Sequence, residues 1–201
     1  DYALSMLSQP QVWIRISQQR VDEVKEILSA KAIPWQTDSL NSNAIAVHPA
    51  SDLKAFDSFN KGYFEIQDRS SQECGLAIPA GNDQHWWDAC CGAGGKSLQL
   101  LDRFPGVRIT ATDKRQSVLN EFAQRLQRSG HHDIPMNVLD LETDPIPFQK
   151  ESFDGILLDV PCTGSGTWGR TPEWLTQFDQ QTIRLFAERQ KLIIAKVVPY
   201  L

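Results

Sequence analysis

Strand-like apolar runs alternate with helical patterns through the C-terminal part of this sequence, and this alternation restricts the fold more than any other feature. The predicted strands lie at residues 85–90, 107–112, 135–139 and 153–159. Helical spacing of apolar residues covers 95–104, 115–129 and 173–196, the last with a break near Phe178. Alternating strands and helices pack as a parallel sheet with right-handed crossovers. The sequence therefore predicts an α/β fold around a four-stranded parallel sheet.

A smaller pattern precedes this sheet. The alternation of Val12, Ile14 and Ile16 predicts a half-buried strand, a helix follows over residues 21–28, and a second strand is predicted at residues 44–47. This order is typical of one half of an α+β sandwich. We therefore predict a small α+β lobe at residues 1–61 and a larger domain at residues 62–201.

A glycine-rich turn, DACCGAGGKS at residues 88–97, joins the first strand of the larger domain to its first helix. A strand, a glycine turn and a helix N-terminus in this order present backbone N–H groups to a ligand, and Gly92, Gly94 and Gly95 allow a close approach. The G-x-G-x-x-G spacing of dinucleotide sites is absent, so a dinucleotide is not the first expectation.

In a parallel sheet of this kind the ligand lies beyond the carboxyl ends of the strands. The residues found there are the turn after Asp88, then Asp113, Asp140, and Asp159 with Cys162. Each aspartate taken singly fits a helix cap or a turn equally well, and Cys162 could be a small buried apolar residue. Their shared position beside a glycine turn favours a binding site.

Composition indicates a globular chain with more acid than base. It has 25 acidic and 20 basic residues, and the formal net charge of -5 argues against a generally basic nucleic-acid binder. Residues 96–130 are an exception, because seven basic and three acidic side chains give this segment a local charge of +4. Charge alone fits a solvated helix face.

Cysteine spacing and hydropathy restrict the cellular compartment in which we expect this protein. The four cysteines have neither zinc-site spacing nor the framework of a small secreted domain, so we expect free thiols and no metal. No apolar run approaches the roughly 20 residues that span a bilayer, and no signal peptide opens the sequence. We therefore expect a cytoplasmic protein without a membrane partner.

Four motifs resemble one family, the Sun/RsmB-like (Fmu) RNA cytosine-C5 methyltransferases, which use S-adenosylmethionine. Gly62 with Gln67–Asp68 and Ser71–Gln72 is similar to the family's entry segment G-x-x-x-x-Q-D-x-x-S-Q, and residues 88–97 are similar to its loop D-x-C-A-A-P-G-G-K-T. Asp113 and Asp140 stand where the family has its ribose-side and adenine-side acids. Residues 159–166, DVPCTGSG, resemble its D-A-P-C-S-G-T-G motif.

The resemblance implies a Rossmann-like class I methyltransferase sheet, represented by its first four strands, behind an RNA-recognition-like lobe. It implies S-adenosylmethionine as the cofactor, and the implied cofactor-binding residues are Cys90, Cys91, Gly92, Ala93, Gly94, Gly95, Lys96, Asp113, Asp140 and Asp159. It makes Asp159 and Cys162 catalytic, Cys162 as the thiol that assists product release. In DNA cytosine methyltransferases the Pro-Cys thiol is itself the nucleophile, so chemistry alone leaves both roles open for Cys162, and the Thr-Gly-Ser-Gly continuation favours the RNA family. The family's nucleophilic cysteine follows the next strand, so we expect it beyond Leu201 and expect these residues alone to be inactive.

The implied product is 5-methylcytosine in RNA, with ribosomal RNA as the first expectation and transfer RNA as the second. The small lobe and the segment of local charge +4 would bind the RNA backbone. The oligomeric state is left open. Two other hypotheses remain: a Rossmann-type methyltransferase for another substrate with a structural Cys162, and a non-catalytic RNA-binding scaffold.

Three positions depart from the family pattern. Ala93 replaces the proline of the glycine loop, Gly169 replaces the first of two arginines after the second motif, and Val118 replaces an arginine that follows the ribose-side acid. Arg170 keeps the second arginine, and Arg115 could stand in for the one that is lost at Val118. An anionic contact at Gly169 is therefore in question.

Overall fold

The computed structural model describes residues 9–132 and 134–201, which form two sheets. The first sheet is antiparallel, with strand order β2-β3-β1-β4, and comprises β1 (Val12–Ile16), β2 (Trp35–Thr37), β3 (Ala44–Val47) and β4 (Phe64–Ile66). Helix α1 (Val21–Ala30) covers one face of this sheet, and the one-turn helix α2 (Asp57–Asn60) precedes β4. These elements form the small lobe.

Side-chain alternation along β1 separates the two faces of the small sheet. Ile14 and Ile16 point to one side and pack with Val24 and Leu28 of α1. Arg15 points to the other side, where it is 5% exposed and contacts the larger domain. The sheet therefore has an apolar core on one face and a domain interface on the other.

The larger domain contains a second, parallel sheet with strand order β7-β6-β5-β8. Helix α3 (Arg69–Leu76) leads into it, and its elements in chain order are β5 (His85–Asp88), α4 (Gly95–Arg103), β6 (Arg108–Asp113), α5 (Gln116–Ser129), β7 (Met136–Val138), β8 (Gly155–Leu157) and α6 (Gln180–Val197). A 3-10 segment over Pro172–Gln177 interrupts the helical region that ends the chain. The α/β fold with four parallel strands is confirmed, as is the break near Phe178.

Strand β5, which lies inside the parallel sheet, contributes two adjacent tryptophans to the core of the larger domain. Trp87 is fully buried and contacts the rings of Phe148, Phe153 and Tyr200, while its indole N–H donates to Thr112 Oγ1 at 3.0 Å. Trp86 faces the other side of the sheet and packs over Gly155, where a Cβ would lie 2.3 Å from its ring. Because strand β5 is buried on both faces, its apolar run is continuous rather than alternating.

A buried ion cluster joins the lobes. The Glu65 carboxylate on β4 accepts hydrogen bonds from Arg125 Nε at 3.0 Å and Arg128 Nη2 at 2.6 Å, both on α5. On the same face of the sheet, Arg15 pairs with Asp102 and donates to Gln67 Oε1. The lobes are therefore held together by charge pairs rather than by one shared apolar core.

Two features differ from, or extend, the sequence-based picture. Strand β4 pairs with β1, so the small-lobe sheet continues past residue 61, where we placed the boundary between the lobes. Strand β8 lies at an edge of the parallel sheet, and its Ile156 and Leu157 are only partly buried. Among the residues that the structure describes, no helix is both long and apolar enough to cross a membrane.

Candidate active site

The glycine turn has the conformation that its sequence requires. Gly94 is in the left-handed region at φ 76°, and a Cβ there would lie 2.0 Å from the Phe122 ring, so only glycine fits. Gly92 is also left-handed, and its N–H donates to Asp113 Oδ2 at 3.0 Å. The turn thereby connects the end of β5 to the end of β6.

Asp88, at the end of β5, is buried and partly unpaired. Its Oδ2 accepts from Ser97 Oγ at 2.6 Å, and its Oδ1 has no hydrogen-bond partner among the described residues. Burial is the main reason that the pKa of this carboxyl rises to about 7, and the nearby Asp159 adds to the effect. Asp88 therefore holds a proton more readily than an exposed aspartate does.

Both carboxylate oxygens of Asp113, at the end of β6, accept two hydrogen bonds each. One oxygen accepts from the backbone N–H and Nε of Arg115, and the other accepts from Gly92 N–H and from Arg115 Nη2 at 3.2 Å. Burial by itself raises the pKa of this carboxyl, but the hydrogen bonds and charge of Arg115 outweigh burial and hold the pKa below its ordinary value. Asp113 is therefore an anion positioned beside the turn.

One cavity of about 360 Å³ brings the ends of several strands together. Its lining includes Cys90, Asp113, Asp140, Asp159 and Cys162, which are five of the residues predicted from sequence. This volume lies within the range of about 300–1,000 Å³ that small-molecule sites occupy. The parallel sheet therefore collects the predicted acids and the predicted thiol at one site.

A smaller adjoining cavity of about 230 Å³ is formed by the glycine turn. Its lining includes these residues predicted from sequence: Cys90, Cys91, Gly92, Ala93, Gly95, Lys96 and Asp159. Lys96 Nζ donates to Asp159 Oδ2 at 2.5 Å, and Asp159 and Cys90 line both cavities. Gly94 lines neither cavity; it faces Phe122 and shapes the turn. The two cavities therefore share part of their lining.

The thiols at this site differ in access to water. Burial raises the pKa of Cys90 to about 12, with neighbouring carboxylates contributing, and burial likewise raises the pKa of Cys91. Cys162 is exposed and lies on the loop after β8. Of the three thiols, Cys162 is therefore the most accessible to a substrate. No group of three metal-binding side chains occurs among the described residues.

Several residues that line the larger cavity were not predicted as site residues, although Arg115 was considered as a replacement for the arginine that is lost at Val118. Lys114 and Arg115 come directly after Asp113, and that adjacency was the available signal. Phe186 and Arg189 reach the cavity from α6, where Arg189 pairs with Glu142 at the rim. No local pattern marks these two α6 residues, because α6 lies more than 40 residues beyond β7 in the chain.

The segment of local charge +4, which we expected to bind the RNA backbone, has most of its basic side chains paired with groups of the protein itself. Arg125 and Arg128 are held by Glu65, Arg115 is held by Asp113, and Lys96 is held by Asp159. Arg103 donates to the carbonyl of Gly75. Most of the excess positive charge is therefore used inside the protein.

Known proteins resemble this chain over most of its length. The family described as 16S rRNA methyltransferase RsmB/F matches residues 76–201. The ribosomal RNA small subunit methyltransferase B of Proteus mirabilis is 28% identical over 196 residues, which are 96% of this chain and 46% of that protein. The Xanthomonas campestris protein of the same name is 28% identical over 82% of this chain and 38% of its own length. The chain thus spans about half the length of these relatives, or less.

Solved structures share the fold. A methyltransferase homologue from Pyrococcus horikoshii superposes with a TM-score of 0.78 at 22% identity, over 99% of this chain and 63% of that one. NSun6 from Pyrococcus horikoshii superposes with a TM-score of 0.81 at 15% identity, over 98% of this chain and 75% of that one. With a family match over more than half of its residues, this chain belongs to the 16S rRNA methyltransferase RsmB/F family.

Proposed function

We propose that this chain supplies the cofactor site and part of the catalytic site of an S-adenosylmethionine-dependent methyltransferase that forms 5-methylcytosine in ribosomal RNA. The observation that carries the proposal is the cavity that Asp113, Asp140, Asp159 and Cys162 line together. Family membership supports both the reaction class and the RNA substrate. The cytoplasm is the proposed location.

The residues of the two cavities fit S-adenosylmethionine. The nucleoside would occupy the larger cavity, with the Asp113 carboxylate at the ribose hydroxyls and Asp140 on the adenine side. The amino-acid end would lie against the backbone of Gly92 and Gly95 in the smaller cavity. Arg115 is 58% exposed in its side chain, so it can turn away from Asp113 and free carboxylate lone pairs for the ribose.

Asp159 lines both cavities, Cys162 lines the larger one, and both follow β8 in the chain. We therefore assign these two residues to the methyl end of the cofactor. When bound, S-adenosylmethionine supplies an electrophilic methyl group. Lys96 donates to Asp159 and fixes this carboxylate, which can then accept a hydrogen bond from the edge of a cytosine. Cys162 would assist release of the methylated base, as the family resemblance implies.

The 5-carbon of cytosine is too weak a nucleophile to take a methyl group unaided. Addition of a thiolate to the 6-carbon makes the 5-carbon nucleophilic. After methyl transfer, a base takes the proton from the 5-carbon while the thiolate leaves the 6-carbon, and the aromatic ring is restored. The base must leave its stack to reach such a site, so an unpaired region of RNA is the expected substrate.

Two substitutions in the full-length protein test this proposal. Cys162→Ala should accumulate a covalent protein–RNA adduct and lose turnover, measured by denaturing gel and by transfer of a labelled methyl group to ribosomal RNA. Cys74→Ala is the matched control, because Cys74 is also exposed and lines neither cavity. Unchanged turnover and no adduct in Cys162→Ala would instead favour another methyl acceptor.

Asp113→Ala tests the cofactor assignment separately. We expect it to weaken binding of S-adenosylhomocysteine, measured by calorimetry, by about 10-fold or more, because it removes a charged hydrogen-bond acceptor. A wild-type protein that binds ribosomal RNA but not S-adenosylhomocysteine would be a non-catalytic scaffold, and the proposed function would be wrong.

A further inference from the structure

A second concave surface lies between the two lobes. Its larger part has a volume of about 690 Å³ and is lined by the start of β1, the end of β4 and the segment 169–172. A smaller part of about 260 Å³ shares Trp13, Asp68 and Arg170 with it and extends to Ser70 and Gly166. We call these two parts together the interlobe groove.

The walls of the interlobe groove suit a flat, mostly uncharged ring. Trp13 is half-buried and lines both parts. Three proline rings and two aliphatic side chains supply the remaining apolar wall, namely Pro10, Pro49, Pro172, Val12 and Ile66. Aromatic side chains serve as stacking platforms for unpaired bases of single-stranded RNA, because every base has a π-face.

The charged side chains of the groove are already paired. Arg170 forms an ion pair with Asp68, and Arg69, whose guanidinium lies 5.9 Å from the Trp13 ring centroid, forms one with Asp38. Two guanidinium groups that each hold a carboxylate offer little net positive charge for a phosphate. The groove therefore favours the base of a nucleotide over its phosphate.

The groove is connected to the candidate active site through the loop after β8. Cys162 lines the active-site cavity and Gly166 lines the groove, and with three residues between them along the chain their Cα atoms are at most about 15 Å apart. Ser70 of the groove is also adjacent to Ser71, which lines the glycine-turn cavity. One strand of RNA can therefore reach both places.

We propose that the interlobe groove binds an unstacked nucleobase that neighbours the target cytosine in the RNA strand, with the base stacked on Trp13. This inference rests on the proposed function, because it requires an RNA substrate. It gives the small lobe a defined task, which is to hold a flanking nucleotide in register with the active site.

The test measures the affinity of the full-length protein for a fluorescently labelled single-stranded RNA that contains one cytosine, by anisotropy. We expect Trp13→Ala to weaken binding by about 5- to 100-fold, as loss of one base–aromatic stack does, and Trp13→Phe to retain most of the affinity. Trp35→Ala is the matched control, because Trp35 is a partly exposed tryptophan of the small lobe outside the groove. It should leave the affinity unchanged.

A second measurement distinguishes the loss of base stacking from misfolding of the Trp13→Ala variant, because it uses the wild-type protein. An abasic RNA lacks the base next to the cytosine but keeps the sugar and phosphate. The wild-type protein should bind this RNA more weakly than the intact RNA, whereas the affinity of Trp13→Ala should be the same for both. If Trp13→Ala binds the RNA as tightly as the wild type does, and the wild type binds every abasic RNA as tightly as the intact RNA, the proposal that the groove binds a base is refuted while the proposed function remains in place. A wild-type protein that neither binds RNA nor transfers a methyl group to it would overturn the proposed function itself.

Discussion

Glu65→Gln tests how the two lobes are held together. The Glu65 side chain is 6% exposed, and its partners Arg125 and Arg128 are 14% and 18% exposed. The substitution keeps the shape of the side chain but leaves two largely buried guanidinium groups without a carboxylate. Removing one member of a buried ion cluster costs about 3–5 kcal/mol. Because both arginines retain some contact with water, we expect a loss near the lower limit, about 3 kcal/mol.

Urea unfolding, followed by far-ultraviolet circular dichroism and tryptophan fluorescence, measures this loss. With a urea dependence of about 3 kcal/mol per molar, the midpoint should fall by about 1 M. Glu121→Gln is the matched control: it removes the same charge from the exposed surface of α5, one turn before Arg125. We expect that control to change stability by no more than about 0.5 kcal/mol. Equal midpoints for the two variants would refute the assignment of a stabilising role to the cluster.

Two further predictions concern the glycine turn. The pKa of Asp88 is about 7 in the folded protein against 3.8 as the ordinary value, so the folded state binds this proton more tightly between those limits. The free energy of unfolding of the wild type, relative to that of Asp88→Asn, should therefore fall by roughly 4 kcal/mol as the pH rises through this window, and it should stay level above it. Urea unfolding of both proteins at a series of pH values measures this difference. A difference that does not change with pH would contradict the argument that burial raises the pKa of Asp88. Gly94→Ala should lose about 2–5 kcal/mol in urea unfolding, because it combines a left-handed backbone with a clash against Phe122. Gly95→Ala is its control, since a Cβ there meets nothing closer than 3.9 Å, and equal losses in both variants would show that the clash does not matter.

The parallel sheet and the position of the site could be predicted because their signals are local. The apolar run before Asp88 and the glycines after it specify a strand, a turn and a helix within about a dozen residues. Ligands lie beyond the carboxyl ends of parallel strands, so Asp113, Asp140 and Asp159 are expected at the same edge of the sheet. The cavity that these three residues line has that location.

Features that depend on distant pairing could not be predicted in the same way. Strand β4 belongs to the small lobe because Ile14 pairs with Ile66, and nothing in the five residues around Ile66 indicates that partner. The charge of α5 suggested a surface for RNA, but Glu65, which is 60 residues away from Arg125, uses that charge inside the protein.

The sequence by itself determined the fold class, the conformation of the glycine turn and the set of acids at the strand ends. Periodicity, glycine conformation and strand direction act over a few residues, so they can be recognised without knowing how the chain packs. Only the tertiary structure decided that Glu65 pairs with two arginines of α5, that Phe186 and Arg189 of α6 line the cavity, and that a groove opens beside Trp13. Those features depend on which charged and apolar surfaces meet when distant segments pack, and such contacts leave no local pattern in the sequence.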